Sequence, residues 1–66
     1  MTETEITSEA EMIVNYDNPA TIAGKILSDI HTDINGRGGF DTFNIDDDIL
    51  LEMIEEQLTI IDGHLS

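Results

Sequence analysis

The densest cluster of ionisable groups in this sequence lies between residues 46 and 56. Its members are Asp46, Asp47, Asp48, Glu52, Glu55 and Glu56. No lysine or arginine occurs between Phe40 and Ser66, although an ordinary solvated helix gains stability from opposite charges four residues apart. Like charges at that spacing repel each other instead. The pattern therefore indicates that the carboxylates bind an external positive charge, either a basic protein surface or a cation.

A calcium loop of the EF-hand type would be the clearest cation site, and residues 33–44 match that pattern in part. The matching residues are Asp33, Asn35, Gly38 and Asp41. The position of the third oxygen ligand holds Arg37, however, and the position of the closing bidentate glutamate holds Asn44. An ordinary Asn-Gly turn is therefore favoured, and weak calcium binding is kept as an alternative.

The other groups that could perform catalysis do not form a recognisable arrangement. Asp29 and Asp33 are near His31 but lack the spacing of three or four that joins ligands on one helical face, and His64 lies near the end of the chain. The sequence has no cysteine, no serine in a nucleophile elbow and no glycine-rich loop with a phosphate-binding lysine. We therefore expect no enzymatic activity, no cofactor and no bound metal.

Two helices are predicted around these groups, and the first covers residues 19–34. Proline suits the first helical position, so Asp17 or Asn18 would cap a helix that begins at Pro19. Asn35-Gly36 would end it with a left-handed cap. Apolar residues recur at spacings of three and four along this stretch: Ile22, Ala23, Ile26, Leu27, Ile30 and Ile34.

The second predicted helix opens at Asn44 or Asp46, because the three aspartates suit the positive end of the helix dipole. Its apolar residues step by three and four, which is typical of a coiled-coil seam, and Gly63 would mark a fraying end. We call these residues the seam and expect them to form the core and a dimer contact: Leu51, Ile54, Leu58, Ile61 and Leu65.

The N-terminal part of the sequence is less regular. Residues 1–9 are polar and acidic and are interpreted as a loose arm. Residues 10–16 are predicted to form a short helix, since Ser8 and Glu11 have the spacing of a capping box. A short strand is the alternative, because Ile13 and Val14 are β-branched. The predicted fold class is mainly α, with two or three helices, and the alternative is α+β with a short N-terminal strand.

Length and charge limit what kind of protein this is. Sixty-six residues allow a single domain, and 15 acidic against 2 basic residues give a formal charge of −13. Nucleic acid and anionic membranes would be repelled, so neither is expected as a direct partner. A chain this short is marginally stable alone, which favours a homodimer. Its acidic N-terminus is unlike a signal peptide and no apolar run could cross a membrane, so we expect a cytoplasmic protein.

In size, charge excess and rows of carboxylates, the whole chain resembles the small acidic DNA mimics that bacteriophages and mobile elements encode. The resemblance extends loosely over the chain and rests on no sequence motif. Within that class the chain is most similar to phage inhibitors of nucleoid-associated proteins such as HU, which act as dimers over the DNA-binding surface of their target. The resemblance implies a phage protein that acts in the cytoplasm of the host cell.

The function expected from the sequence is that of a DNA-mimicking inhibitor, which binds a basic DNA-binding protein and blocks its access to DNA. Asp46, Asp47, Asp48, Glu52, Glu55 and Glu56 would form the main contact surface, with Asp29, Asp33 and Asp41 as secondary contributors. Carboxylates would occupy the lysines and arginines that otherwise bind phosphates. One alternative is an acidic helical adaptor or regulatory protein that binds a partner through its apolar seam, and the other is the weak calcium-binding module.

Overall fold

The computed structural model describes residues 1–38 and 45–66, and these form three helices: α1 (Glu3–Val14), α2 (Ile22–Gly36) and α3 (Asp47–Leu65). No strand occurs in these two ranges, which confirms the prediction of a mainly α protein. Residues 10–14 belong to α1, so the alternative of a short N-terminal strand is not observed. None of the three helices is long and apolar enough to cross a membrane.

Helix α1 begins well before the predicted position. The Thr2 hydroxyl accepts a hydrogen bond from the Glu5 backbone N–H at 3.2 Å, and the Glu5 carboxylate accepts one from the Thr2 N–H at 2.8 Å. This capping box satisfies two donors that a helix N-terminus otherwise leaves unpaired. Residues 3–9, expected to form a loose arm, are therefore the first part of α1, and the box is not the predicted pair of Ser8 and Glu11.

Helix α1 ends in a Schellman motif that does not use glycine. The Asp17 N–H donates to the Met12 carbonyl at 2.8 Å, and the Tyr16 N–H donates to the Ile13 carbonyl at 3.2 Å. Tyr16 consequently has a left-handed backbone with φ of 61°. Sequence signals for this kind of helix end rely on Gly or Asn, so they do not mark a tyrosine.

Helix α2 is shifted towards the C-terminus relative to its prediction. It begins at Ile22 with Thr21 as the cap, because the Thr21 hydroxyl accepts from the Gly24 N–H at 3.0 Å. Pro19 lies in the loop before the helix, so neither Asp17 nor Asn18 is the cap. At the other end, the left-handed residue is Gly38, with φ of 81°, and not Gly36, which is still helical.

Helix α3 begins after Asp46, one of the two predicted starting residues, although the Asp46 side chain makes no capping hydrogen bond. The helix continues through Gly63 to Leu65, so Gly63 does not mark a frayed end. All three helices contact one another, with α3 packed against both α1 and α2. The fold therefore surrounds a single small core.

Among the described residues, the core draws two from each helix: Ala10, Ile13, Ala23, Leu27, Ile54 and Leu58. Among the other seam residues, Leu51 and Ile61 pack against this core and are partly buried. Leu65 is more than half exposed and lies outside the core. Ile54 and Leu58 are thus already covered within one chain. The homodimer stays a prediction, and its contact would have to use other residues than these two.

Candidate functional site

Most of the predicted acidic cluster faces solvent on α3. We define the acidic face as the five exposed carboxylates of this helix and its cap: Asp46, Asp47, Asp48, Glu52 and Glu56. Three of them, Asp48, Glu52 and Glu56, follow one another every four residues and so form a row with steps of about 6 Å. No residue of the acidic face takes part in the ion pairs of the described residues, which are Met1 with Asp62 and Arg37 with Asp33.

The row Asp48, Glu52 and Glu56 sets the charge density on one side of α3. It carries one negative charge per about 6 Å of helix, and Asp46 and Asp47 precede it in the cap and the first turn. One strand of B-DNA carries one charge per about 3.4 Å of its axis, so the row has about half of that density. The face can therefore present carboxylate oxygens to several lysine or arginine side chains at once, as a phosphate backbone does.

Glu55, predicted to belong to the same surface, is turned towards α1. Its carboxylate is half-buried and accepts a hydrogen bond from the Thr7 hydroxyl at 3.0 Å. Two helical turns further along α3, the Asp62 carboxylate accepts a hydrogen bond from the Met1 amino group at 2.6 Å. This hydrogen bond raises the pKa of the amino group. Glu55 and Asp62 therefore join α1 to α3 and are not part of the acidic face.

The secondary acidic residues on α2 are in different situations. Asp29 and Asp33 are both exposed, but the Asp33 carboxylate accepts hydrogen bonds from Arg37 Nε at 3.2 and 3.3 Å. Part of the Asp33 charge is thus offset by its neighbour one turn along the helix. Asp41, and with it half of the loop at residues 33–44 that was compared with an EF-hand, lies outside the described residues. Within the described residues, no three His, Asp or Glu side chains are grouped to hold a metal ion.

A buried carboxylate that sequence reasoning did not single out belongs to Glu9 of α1, which is only 4% exposed. It accepts hydrogen bonds from the Thr21 N–H at 2.7 Å, the Ala20 N–H at 3.0 Å and the Thr21 hydroxyl. Burial opposes its ionisation, but the hydrogen bonds from Thr21 and Ala20 together outweigh burial and lower the pKa of Glu9. Glu9 thereby fixes the loop that leads into α2.

Gly24 makes this arrangement possible. A Cβ atom at this position would collide with the Glu9 carboxylate and with the ring of Pro19. The absence of a side chain lets the first turn of α2 approach Glu9 closely, which is one of the uses of glycine in packed structures. Glu9, Thr21 and Gly24 thus form one structural unit, and none of them lies on the acidic face.

The two histidines have different surroundings. His31 is buried in α2, and its Nε2 lies 2.7 Å from Gln57 Oε1 of α3. His64 is exposed in the last turn of α3, where an imidazole suits the negative end of the helix dipole. His31 thus links α2 to α3, and His64 lies at the C-terminal end of α3.

The comparisons with known proteins found no match. No family model matches this chain, and no curated protein or solved structure matches it. The chemistry of the acidic face, its exposure and its charge density are therefore the observations from which a function has to be argued.

Proposed function

We propose that this protein binds a basic, DNA-binding protein through the acidic face and blocks the access of that protein to DNA. The observation that carries the proposal is the row of exposed carboxylates on α3, Asp48, Glu52 and Glu56, none of which joins an ion pair among the described residues. Repulsion among these groups weakens the isolated helix, so their concentration is a cost that binding to a positive surface would offset.

The mechanism is competition for the same cationic side chains. Carboxylates and phosphates both accept charge-assisted hydrogen bonds from lysine and arginine, and a single arginine cannot serve both partners at once. The net charge of −13 also speeds the encounter with a basic surface, because opposite charges steer diffusing molecules together. A bound inhibitor would then repel approaching DNA as well as cover its contacts.

A nucleoid-associated protein of the HU type is the partner that we propose within this class. The proposal rests on the resemblance in size, charge and carboxylate rows to phage inhibitors of such proteins. The same resemblance implies that the protein acts in the cytoplasm of a phage-infected host cell.

Two features of the fold speak against the alternatives. An adaptor that binds through its seam would need Ile54 and Leu58, but both are buried inside the single chain, so a partner could reach them only by opening the fold. A calcium loop would need Asp33 as its first ligand, but that carboxylate is paired with Arg37. Competition with DNA is therefore the function that the surface supports best.

Neutralising the acidic face tests the proposal. The triple variant Asp48→Asn, Glu52→Gln and Glu56→Gln removes three exposed charges and keeps the shape of each side chain. Each exposed ion pair contributes about 0.2–1 kcal/mol, so affinity for an HU-type protein at low salt is expected to fall about tenfold. The dissociation constant is measured by isothermal titration calorimetry at several salt concentrations, and its dependence on salt should become shallower.

The matched control removes the same number of charges elsewhere. Glu3→Gln, Glu11→Gln and Asp17→Asn change exposed residues of α1 and the loop after it and leave the row Asp48, Glu52 and Glu56 intact. This variant is expected to bind within about threefold of the wild type, through the loss of long-range attraction alone. If both triple variants lose affinity equally, binding depends on net charge and the acidic face is not the contact surface.

A further inference from the structure

An apolar groove lies between α2 and α3, beside the acidic face, and the proposed function does not use its apolar residues. Its walls are formed by Ile30 and Ile34 of α2 and by Ile60 and Ile61 of α3. Ile30 is 46% exposed and Ile60 is 61% exposed, although both are large apolar residues. The groove has a volume of about 250 Å³. This is below the range of about 300–1,000 Å³ that is usual for small-molecule sites.

The centre of the groove contains no carboxylate, lysine or arginine. Its floor contains Leu27 and the hydrogen-bonded pair of His31 and Gln57, which joins the two helices. Such a surface offers water few hydrogen-bonding groups. Exposed apolar patches are one of the features by which interaction sites for other macromolecules are recognised. An apolar side chain of a partner would be transferred out of water on entering the groove.

Carboxylates lie along both edges of the groove. On α2, Asp33 follows Ile30 by three residues, and its carboxylate is exposed and pairs with the equally exposed Arg37. On α3, Glu56 precedes Ile60 by four residues, so it lies one turn away on the same side of the helix. The surface therefore consists of an apolar centre with an acidic rim on each side.

We propose that this groove binds an apolar side chain that the basic partner presents between lysines or arginines. The inference rests on the proposed function and adds a second contact to it. Charge complementarity identifies the occupant, because an apolar anchor flanked by basic residues satisfies both the centre and the rims. A second copy of this chain fits less well, since it also carries a net charge of −13 and would bring its own Asp33 and Glu56 against the same acidic rims.

The groove gives the protein a means of selecting its partner. Carboxylates alone attract any basic protein, as a DNA strand does, whereas an apolar pocket contributes affinity only when the partner offers a matching side chain. This contribution depends little on salt, unlike that of the acidic face. The two contacts can therefore be separated experimentally.

The test uses two synthetic helical peptides of about 18 residues, a length close to that of α3. One carries leucines at spacings of three and four on a lysine-rich background, and the other has glutamine in place of every leucine, with the same charge. At about 150 mM salt the leucine peptide is expected to bind the wild type about tenfold more tightly, measured by fluorescence anisotropy.

Two double variants place this preference in the groove. Ile30→Gln with Ile60→Gln should reduce the preference for the leucine peptide to about twofold or less. The control, Ile22→Gln with Ile49→Gln, changes two isoleucines of similar exposure, 69% and 56%, outside the groove and should keep the full preference. All three proteins are expected to show the same helical circular dichroism, because the four residues are exposed.

The binding results distinguish a contact in the groove from binding by the carboxylates alone. If both peptides bind the wild type equally, the carboxylates bind basic chains and the groove proposal is wrong. If neither peptide binds, the proposed function is contradicted together with it. If the wild type is a dimer by light scattering and only the Ile30/Ile60 variant is a monomer, a second copy occupies the groove and the basic partner does not.

Discussion

Replacing Leu58 with aspartate is expected to unfold the protein. Leu58 is 0% exposed and lies in the core beside Ile54, so the new carboxylate would have neither water nor a basic partner. An unpaired buried charge costs about 3–5 kcal/mol or more, and the lost apolar contacts add to this. Small domains are stable by only about 5–15 kcal/mol, so the helical circular dichroism and the cooperative thermal transition should both be lost.

The control for this prediction is Ile60→Asp on the same helix. It introduces the same charge two residues further on, at a position that is mostly exposed, so the helical signal and the transition should be retained. If both variants remain folded with similar melting temperatures, Leu58 is not buried and the packing of α3 against the other helices is wrong.

The second large effect is expected at Glu9. Glu9→Ala removes the acceptor for the N–H groups of Ala20 and Thr21 and for the Thr21 hydroxyl, in a place that water does not reach freely. Loss of three hydrogen bonds to a buried carboxylate is expected to lower the free energy of unfolding by about 2–4 kcal/mol. The measurement is urea unfolding at neutral pH, compared with Glu11→Ala, an exposed change on the same helix expected to cost less than about 0.5 kcal/mol.

The role of Glu9 also predicts a dependence on pH. Its pKa in the folded protein is below the ordinary value of 4.5, so its contribution is complete above that value and is lost as the pH falls through the folded pKa. The difference in unfolding free energy between the wild type and Glu9→Gln should therefore be constant near neutral pH and shrink below about pH 4.5. A difference that does not change down to acidic pH would show that the carboxylate is not held in its charged form.

The parts of the fold that the sequence predicted are those with a strong apolar period. The seam around Ile54 and Leu58 specified α3, and the stripe around Leu27 specified α2, although with a different first residue. Helix α1 was underestimated because Thr2 with Glu5 and Ser8 with Glu11 both match a capping box, and the structure uses the earlier pair. An acidic composition does not separate a loose arm from the first turn of a helix, where glutamates are favoured by the dipole.

Other features could not be predicted because they depend on contacts between distant residues. The donors to Glu9 lie 11 and 12 residues further along the chain, in a loop whose path is fixed only by packing. Along α2, isoleucines four residues apart turn by about 40° around the helix at each step. Ile34 is therefore partly buried, whereas Ile30 and Ile22 are 46% and 69% exposed, and Ile30 and Ile34 are left to line the groove. Periodicity alone assigns all of them to one stripe.

Competition with DNA is the measurement that tests the central claim most directly. A labelled DNA duplex is bound to an HU-type protein, the wild-type protein is added, and released DNA is followed by fluorescence anisotropy and by size-exclusion chromatography. Complete release of free duplex is expected, with a complex of the two proteins that contains no DNA, and the Asp48/Glu52/Glu56 variant should require about tenfold more protein. A stable complex that contains both proteins and the DNA, or equal release by the neutralised variant, would contradict the account.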